Sequence, residues 1–185
     1  MPELSNYDIV CAIDGAYNHF ERKNIVPDLV TGDFDSIHSI PEAVEVINTP
    51  DQNFTDFDKA LMILKERGYH YIDIYGGSGK EHDHFLGNIS TALQWKSKLN
   101  ISFFDDFGKY FFIEEHITIK NVLGRNISLI PFPIASEIYT QGLLYPLKNG
   151  ILKFGERIGT RNKAEEDEIK ISFKGGDLLI YISNP

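Results

Sequence analysis

The sequence predicts an α/β amino-terminal domain with a parallel, Rossmann-like sheet, followed by a smaller all-β sandwich domain. In the first half, short apolar runs alternate with segments of helical period, as in a parallel sheet with crossover helices. After about residue 107 the pattern changes to short β-type runs separated by turn residues. The 185 residues are enough for one large domain or two small ones. We therefore predict domains at residues 1–106 and 107–185.

Five strands and two main helices are predicted in the first domain. The clearer helix follows Thr55, because Asp58 completes a capping-box pattern, apolar residues then recur at helical spacing, and Gly68 supplies a stop. A second helix is expected to begin near Asp83 and to run to about Trp95. The predicted strands are Asp8–Ile13, Asp28–Thr31, Val44–Asn48, Tyr71–Tyr75 and Ile101–Phe104.

Six short strands are predicted in the second domain. Each is a run of apolar or β-branched residues bounded by turn residues, which is typical of antiparallel sheets packed face to face. A small sandwich follows from this spacing. The strands are Tyr110–Ile113, Ile117–Ile119, Ile127–Ile130, Gly150–Phe154, Glu168–Phe173 and Leu178–Ile182.

Charge and composition exclude several classes of function. The 18 basic and 27 acidic residues give a formal net charge of −9, which disfavours nonspecific binding to nucleic acid or to an anionic membrane. No run approaches the roughly 18 apolar residues of a membrane span, and the first residues lack a signal-peptide pattern. The single cysteine, Cys11, lies in an apolar run and excludes an intrachain disulfide framework. We therefore expect a cytoplasmic protein without nucleic-acid or membrane partners, in which an anionic substrate requires a metal ion or local basic groups.

Carboxylates gather where the predicted strands end. Asp14 follows the first strand, Asp33 and Asp35 follow the second within Gly32–Ser36, and Asp56 precedes a helix. Because the carboxyl ends of strands in an open α/β sheet form the ligand crevice, these acids can converge there. Four such acids suit Mg²⁺, which prefers oxygen ligands and joins one or two carboxylates to substrate phosphates. The alternative is that some of them are ordinary turn and cap residues.

A glycine-rich segment, Tyr75–Lys80, lies between a predicted strand and a helix. Loops at this position bring backbone N–H groups close to phosphate oxygens, although a simple turn is the alternative. The spacing fits neither a Walker A loop nor Gly-x-Gly-x-x-Gly. The following residues, Glu81–His84, contain two acids and two histidines, but no regular element is expected to bring all four to one point, so zinc is not favoured.

Taken together, these residues resemble the thiamine pyrophosphokinase family across nearly the whole chain. The resemblance implies transfer of a pyrophosphoryl group from ATP to thiamine, an α/β ATP-binding catalytic domain joined to a β-sandwich that binds thiamine, and a homodimer with the active site at the interface. Mg²⁺ is the implied cofactor. The motifs that carry the resemblance are Asp14–Ala16, Gly32–Ser36, Asp51–Phe57, the glycine loop ending in Asp83-His84, and Thr140–Leu147.

The resemblance also implies roles for individual residues. Metal ligands are Asp14, Asp33, Asp35 and Asp56, of which the last three are also catalytic. Nucleotide contacts are Gln52, Thr55, Gly76, Gly77, Gly79 and Lys80. Contacts with the acceptor substrate are Asp83, His84, Thr160 and Asn162. Thiamine is a cation, so an acidic side chain such as Asp83 suits its pocket.

The chain departs from the family pattern at three motif positions. Glu81 stands where the family has Arg, Asn53 where it has Asp, and Arg161 where it has Ser. Loss of the Arg removes a bidentate phosphate contact that Lys80 cannot reproduce as a point charge. Arg161 either repels a cationic acceptor or reaches the phosphates. Two alternatives therefore stay open: a diverged pyrophosphokinase for another alcohol, and a non-catalytic module that binds a nucleotide or thiamine diphosphate.

Overall fold

The computed structural model describes residues 2–37, 39, 44–79 and 81–185. The chain forms two compact units, Met1–His70 and Tyr71–Pro185, and each is described by itself.

The first unit is built on a three-stranded parallel sheet. The strands are ordered β1-β2-β3, and in the register Ile13 lies beside Thr31, which lies beside Ile47. The buried side chains of Leu29 and Val30 in the central strand form part of its core. Its elements are β1 (Cys11–Ile13), α1 (Tyr17–Arg22), β2 (Leu29–Gly32), β3 (Glu45–Asn48) and α2 (Asp56–Glu66).

Helix α2 begins where its cap predicts. The Thr55 Oγ1 accepts a hydrogen bond from the backbone N–H of Asp58 at 3.2 Å, which satisfies one of the free donors of the first turn. Gly68, with a φ of 88°, lies just beyond the other end of the helix. The apolar residues predicted at helical spacing are buried in it: Phe57, Ala60, Leu61 and Leu64.

The second unit contains a nine-stranded mixed sheet. A parallel pair joined by helix α3 lies at one edge, and antiparallel strands follow in the order β4-β5-β6-β12-β8-β11-β7, with β9 and β10 also paired to β8. The elements are β4 (Tyr71–Tyr75), α3 (His82–Trp95), β5 (Asn100–Phe104), β6 (Gly108–Ile113), β7 (His116–Lys120), β8 (Asn126–Gln141), β9 (Gly150–Lys153), β10 (Gly159–Lys163), β11 (Glu168–Ser172) and β12 (Gly175–Ser183).

Strand β8 organises the β-rich part of this unit. Its 16 residues pair with β12 over the first part and with β11 near the end, so the sheet curls around a shared core. The predicted fold class is confirmed: a parallel sheet with helices at the amino-terminal side, and a curled mixed sheet after it. The most deeply buried large side chains of this core are Ile127, Leu129, Ile138, Leu152, Ile169, Ile171, Leu178 and Ile180.

The two compact units divide between His70 and Tyr71, whereas the sequence pattern changes after about residue 107. Strand β5 pairs in antiparallel register with β6 through the turn at 105–107, where Asp105 Oδ1 accepts the backbone N–H groups of Phe107 and Gly108 at 2.8 and 2.9 Å. Because of this pairing, β4 and β5 belong to the larger sheet. The domain boundary between residues 106 and 107 stays a prediction about sequence organisation.

Two strand segments were not predicted from the sequence. The predicted strand ended at Ile130, whereas β8 continues through Pro131 and Pro133, although proline cannot donate a hydrogen bond to a neighbouring strand. Strand β10 is polar, and its register shifts between Gly159 and Asn162 around Arg161, whose φ is 54°.

Cys11 lies in β1 and is partly buried. Burial raises the pKa of its thiol to about 12, so the thiol is neutral at physiological pH, in agreement with its interpretation as a small apolar residue. Among the described residues, no helix is both long and apolar enough to cross a membrane.

Candidate active site

Three of the four acids predicted as metal ligands lie together in the first unit. One carboxylate oxygen from each of Asp14, Asp33 and Asp56 lies within 4.8 Å of the others. Parallel pairing of Ile13 with Thr31 makes β1 and β2 end side by side, so Asp14 and Asp33 leave the sheet at the same edge. Asp56 is the first residue of α2. These three acids therefore converge, as the positions of the strand ends predict.

Gly32 makes room for Asp14. A Cβ atom built on Gly32 would lie 2.8 Å from the Cβ of Asp14, closer than real Cβ contacts, and the φ of Gly32 is 155°. Asp14 itself has a φ of 40°, which is uncommon for a residue with a side chain. The glycine of the Gly32–Ser36 motif is thus required by the neighbouring carboxylate as much as by its own turn.

We expect the Gly32→Ala variant to lose about 1–3 kcal/mol of stability, as for other overpacked sites, and to bind divalent metal more weakly because Asp14 is displaced. Gly68→Ala is the matched control, since Gly68 also has a positive φ but nothing lies within 4 Å of the added Cβ. Thermal melts with and without Mg²⁺ measure both effects. A Gly32→Ala variant with the melting temperature and Mg²⁺ response of the control would contradict this account.

Gln52 holds Asp33. Its Nε2 donates to Asp33 Oδ2 at 2.9 Å, and the backbone N–H of Asp35 donates to Asp33 Oδ1 at 3.3 Å. The hydrogen bond from Gln52, followed by that from Asp35, lowers the pKa of Asp33 below its ordinary value. These hydrogen bonds therefore favour the ionised form of Asp33, which is the form that attracts a cation. Gln52 was predicted as a nucleotide contact, and here it orients an acid.

Asp35 is not in the group of three. Its Oδ1 accepts a hydrogen bond from the Ser36 hydroxyl at 2.7 Å, and its side chain is exposed. Its metal-binding and catalytic roles stay predictions. Asn53, at a position where the family has Asp, donates from its backbone and side-chain nitrogens to Asp51 Oδ1 at 2.9 and 2.8 Å. It therefore shapes the loop that carries Gln52.

The three carboxylates fit a divalent cation. Asp14 Oδ1 is buried and accepts no hydrogen bond from any residue that the structure describes. A buried acceptor without a donor is costly, and a bound cation removes that cost. Three carboxylates from separate elements are the hard oxygen donors that Mg²⁺ prefers.

Lys59 is a residue at this site that the sequence reasoning missed. Its Nζ lies 2.7 Å from Asp56 Oδ1, and its side chain is 8% exposed. The available signal was the spacing of Asp56 and Lys59, since acids and lysines three residues apart share a helix face. Most such pairs lie on an exposed face, so the spacing alone does not indicate a buried contact.

The glycine-rich loop of the second unit contains two glycines in the left-handed backbone region. Gly76 and Gly79 have φ values of 76° and 84°, which favour glycine. A Cβ on Gly77 would lie 2.9 Å from the Phe103 ring, and Asn88 Nδ2 donates to the Gly77 carbonyl at 3.1 Å. The loop is thus held close against its own unit. Lys80, predicted to contact the nucleotide, lies outside the described residues.

Asp83 and His84 lie in the first turn of α3. Glu81, the N-cap residue, makes no side-chain capping bond, whereas Asp83 Oδ1 accepts the backbone N–H of His84 at 2.8 Å. Ligand atoms of Glu81, Asp83 and His84 lie within 4.8 Å of one another, so the helix turn brings together three of the four residues considered for zinc. All three are exposed, and exposed groups of this kind are common without an ion. Zinc remains the less favoured interpretation.

The family-like motif Thr140–Leu147 closes a loop beside β10. The Thr140 Oγ1 accepts the Leu147 N–H at 2.8 Å, and the Leu147 carbonyl accepts the Thr140 N–H at 3.0 Å. Within this loop, Tyr145 exchanges hydrogen bonds with the amide of Asn162, at 3.0 Å to Oδ1 and 2.8 Å from Nδ2. Asn162, predicted to contact the acceptor substrate, thus has both ends of its amide engaged. Thr160 is exposed on the same strand.

Arg161 lines a cavity of about 450 Å³ in the second unit. Its backbone N–H donates to Ser128 Oγ at 3.0 Å, which fixes the bulge in β10. A cationic side chain, Arg161, therefore lines the cavity at the position where the family pattern has Ser. The other lining residues are Asp105, Phe107, Asn126, Ser128, Tyr181 and Ser183.

Comparison with known proteins gives one consistent result across the chain. Residues 2–103 match the family described as thiamin pyrophosphokinase, catalytic domain. Residues 114–178 match the family described as thiamin pyrophosphokinase, vitamin B1 binding domain. Between them, the two families cover both halves of the predicted organisation.

Individual relatives agree with the family matches. Thiamine pyrophosphokinase of Bacillus subtilis is 31% identical over 170 residues, which is 86% of this chain and 79% of the relative. Thiamine pyrophosphokinase 1 of Oryza sativa is 30% identical over 94% of this chain and 78% of the relative. The crystal structure of the Bacillus subtilis protein superposes with a TM-score of 0.84 at 28% identity, covering 100% of this chain and 93% of that one.

Proposed function

The chain belongs to the thiamin pyrophosphokinase family, and we propose that Asp14, Asp33 and Asp56 hold the Mg²⁺ ion with which it works. Its reaction is the transfer of the pyrophosphoryl group of ATP to the hydroxyl of thiamine, giving thiamine diphosphate and AMP. The observation that carries the metal proposal is the convergence of three motif carboxylates within 4.8 Å of one another. The buried, unpaired oxygen of Asp14 supports it.

The reaction requires positioning and neutralisation of charge more than covalent participation by the protein. The thiamine hydroxyl oxygen forms a bond to the β-phosphorus of ATP, and the bond from that phosphorus to the oxygen shared with the α-phosphorus breaks, so AMP leaves with that oxygen. Asp14, Asp33 and Asp56 would hold Mg²⁺, which would neutralise charge on the triphosphate. The proton of the attacking hydroxyl goes to a carboxylate, and Asp33, Asp35 and Asp56 are the proposed candidates.

Different residues are proposed to bind the two substrates. ATP is proposed to contact the side chains of Gln52, Thr55 and Lys80 and the backbone N–H groups of Gly76, Gly77 and Gly79. The positive φ values of Gly76 and Gly79 support this, since backbone turns of this kind can form concave anion-binding sites from successive N–H groups. Thiamine is proposed to contact Asp83, His84, Thr160 and Asn162. The exposed carboxylate of Asp83 suits the positive charge of thiamine.

The proposed function is tested by the products of the reaction. The protein is incubated with ATP, Mg²⁺ and thiamine, and nucleotides and thiamine phosphates are separated by chromatography. We expect AMP and thiamine diphosphate in equal amounts, with no AMP when thiamine is omitted. Release of ADP, or AMP that does not depend on thiamine, would refute the assignment.

We also propose that the chain is a cytoplasmic homodimer, and an exposed apolar face on β8 and β9 supports the dimer. Ile134 on β8 lies beside Lys153 on β9, and Ile151 lies on the same side of β9 two residues away. Ile134, Ile151 and Phe154 are 40%, 58% and 59% exposed, and the Phe154 ring lies 6.1 Å from that of Phe132. Exposed apolar side chains grouped in one region, here on either side of Lys153, are typical of association surfaces.

The Ile151→Glu variant is expected to shift the protein from dimer to monomer, because it places a charge in the apolar face. The measurement is the molar mass by light scattering after size-exclusion chromatography. Leu123→Glu is the control, since Leu123 is 64% exposed but lies on neither β8 nor β9. A wild-type protein that is already monomeric, or an Ile151→Glu variant with unchanged mass, would remove this surface from consideration.

A further inference from the structure

Lys59 is a buried cation in the first turn of α2, and among the described residues it is the one lysine that is fully buried, with 7% exposure. Lysine is almost never buried unless it is paired and hydrogen-bonded, because the charged group loses its hydration. Its burial therefore implies that the groups around it compensate the charge.

Three oxygens surround the Lys59 ammonium. Its Nζ donates to the carbonyl oxygens of Thr49 and Asp51 at 2.6 and 3.1 Å, and it lies 2.7 Å from Asp56 Oδ1. The two carbonyls accept hydrogen bonds, whereas the contact with Asp56 Oδ1 is an ion pair without hydrogen-bond geometry. Lys59 thus joins the acid at the start of α2 to the loop that follows β3.

The same loop is connected to the other acids of the site. The backbone N–H of Thr49 donates to the carbonyl of Gly32 at 2.8 Å, which attaches the loop to the end of β2. Three residues further on, Gln52 holds Asp33 at 2.9 Å. Lys59 therefore contacts Asp56 directly and fixes the loop whose side chain orients Asp33.

We propose that Lys59 is a positioning residue for the metal site: it fixes the Asp56 carboxylate and the path of residues 49–52, so that two of the three acids are aligned before the metal binds. This inference rests on the proposed function of the acids. Groups that orient metal ligands from the second layer typically change metal affinity or activity by about 10- to 100-fold. The charge of Lys59 also offsets one of three ionised carboxylates, which leaves two negative charges for one divalent cation.

Positioning and charge have opposite effects on metal affinity, and this makes the proposal testable. Removing the positive charge by itself strengthens the attraction for a cation. Removing the two hydrogen bonds and the ion pair by itself releases Asp56 and the loop, which weakens metal binding. A positioning role therefore predicts weaker metal binding in a variant without the ammonium, whereas a role as counterion alone predicts tighter binding.

The experiment compares Lys59→Met with Lys65→Met, a control in the same helix whose lysine is exposed. Mn²⁺ is titrated into the protein without substrates, and free Mn²⁺ is followed by electron paramagnetic resonance. We expect Lys59→Met to bind Mn²⁺ about 10- to 100-fold more weakly and to have a lower kcat with an unchanged KM for thiamine, whereas Lys65→Met matches the wild type. Wild-type or tighter Mn²⁺ binding by folded Lys59→Met would overturn the proposal.

A second variant keeps the test decisive where Lys59→Met does not fold. Lys59→Gln retains two N–H donors without the charge, and the expected weakening is about tenfold. Wild-type affinity in folded Lys59→Gln would likewise overturn the proposal. The Asp33→Asn variant distinguishes failure of this inference from failure of the proposed function. If Asp33→Asn binds Mn²⁺ as tightly as the wild type, the proposed metal site is wrong. If Asp33→Asn weakens Mn²⁺ binding but the Lys59 variants do not, only the proposed role of Lys59 is wrong.

Discussion

The Asp33→Asn variant is expected to form AMP from ATP and thiamine about a hundred- to a thousandfold more slowly than the wild type, and to remain folded. Asn keeps the size of the side chain and an oxygen that can accept the bond from Gln52. It removes the charge that, with Asp14 and Asp56, is proposed to hold the cation. Loss of one preorganised charge-stabilising group typically has an effect of this size on kcat. A small loss of stability is expected, because the lowered pKa of Asp33 indicates that the fold stabilises its ionised form and Asn cannot accept the hydrogen bonds from both Gln52 and Asp35.

The control for this prediction is Asp8→Asn. Asp8 is an exposed acid that precedes β1 in the same unit, so it tests loss of one negative charge away from the cluster. Initial rates at saturating ATP and thiamine, together with thermal melts, are the required measurements. An Asp33→Asn variant within about threefold of the Asp8→Asn rate would show that Asp33 neither binds the metal nor takes part in transfer.

Removing divalent cations is expected to reduce turnover by at least about a hundredfold, and added Mg²⁺ is expected to restore it. ATP is polyanionic, the chain carries a formal net charge of −9, and the cluster adds three acids where the phosphates are proposed to bind. Without a cation these negative charges repel one another. The measurement is the rate of AMP formation after dialysis against EDTA, before and after Mg²⁺ is added.

Chelation also removes Mg²⁺ from ATP itself, so a substrate-free measurement is needed beside the rates. Mg²⁺ should raise the melting temperature of the wild type in the absence of ATP, because a ligand that binds only the folded state stabilises it. The Asp33→Asn variant should show a much smaller rise. Full activity in EDTA, or an equal Mg²⁺ response in both proteins, would argue against a protein-bound metal.

The acidic cluster could be predicted because it follows from topology. Parallel strands end at one edge of a sheet, so Asp14 and Asp33 must lie near each other once β1 and β2 pair. The close packing of Gly32 against Asp14 could not be predicted from local sequence, because the two residues meet only when β1 and β2 pair. Helix α2 was also predictable, because its cap and its apolar spacing agree.

Other features depend on contacts that sequence spacing does not contain. A lysine in an amphipathic helix is ordinarily solvated, so the burial of Lys59 required knowledge of the loop carbonyls at Thr49 and Asp51. The amide of Asn162 is engaged by the backbone of Tyr145, a partner 17 residues away in sequence. The extension of β8 through two prolines depends on its neighbours in the sheet. Tertiary contacts override local preference in these cases.

The most direct test of the account is the position of the metal. A crystal soaked with Mn²⁺, thiamine and a nonhydrolysable ATP analogue is measured at a wavelength where manganese scatters anomalously. We predict an anomalous peak about 2.0–2.3 Å from carboxylate oxygens of Asp14, Asp33 and Asp56. A peak held instead by Glu81, Asp83 and His84, with none at the three acids, would contradict it.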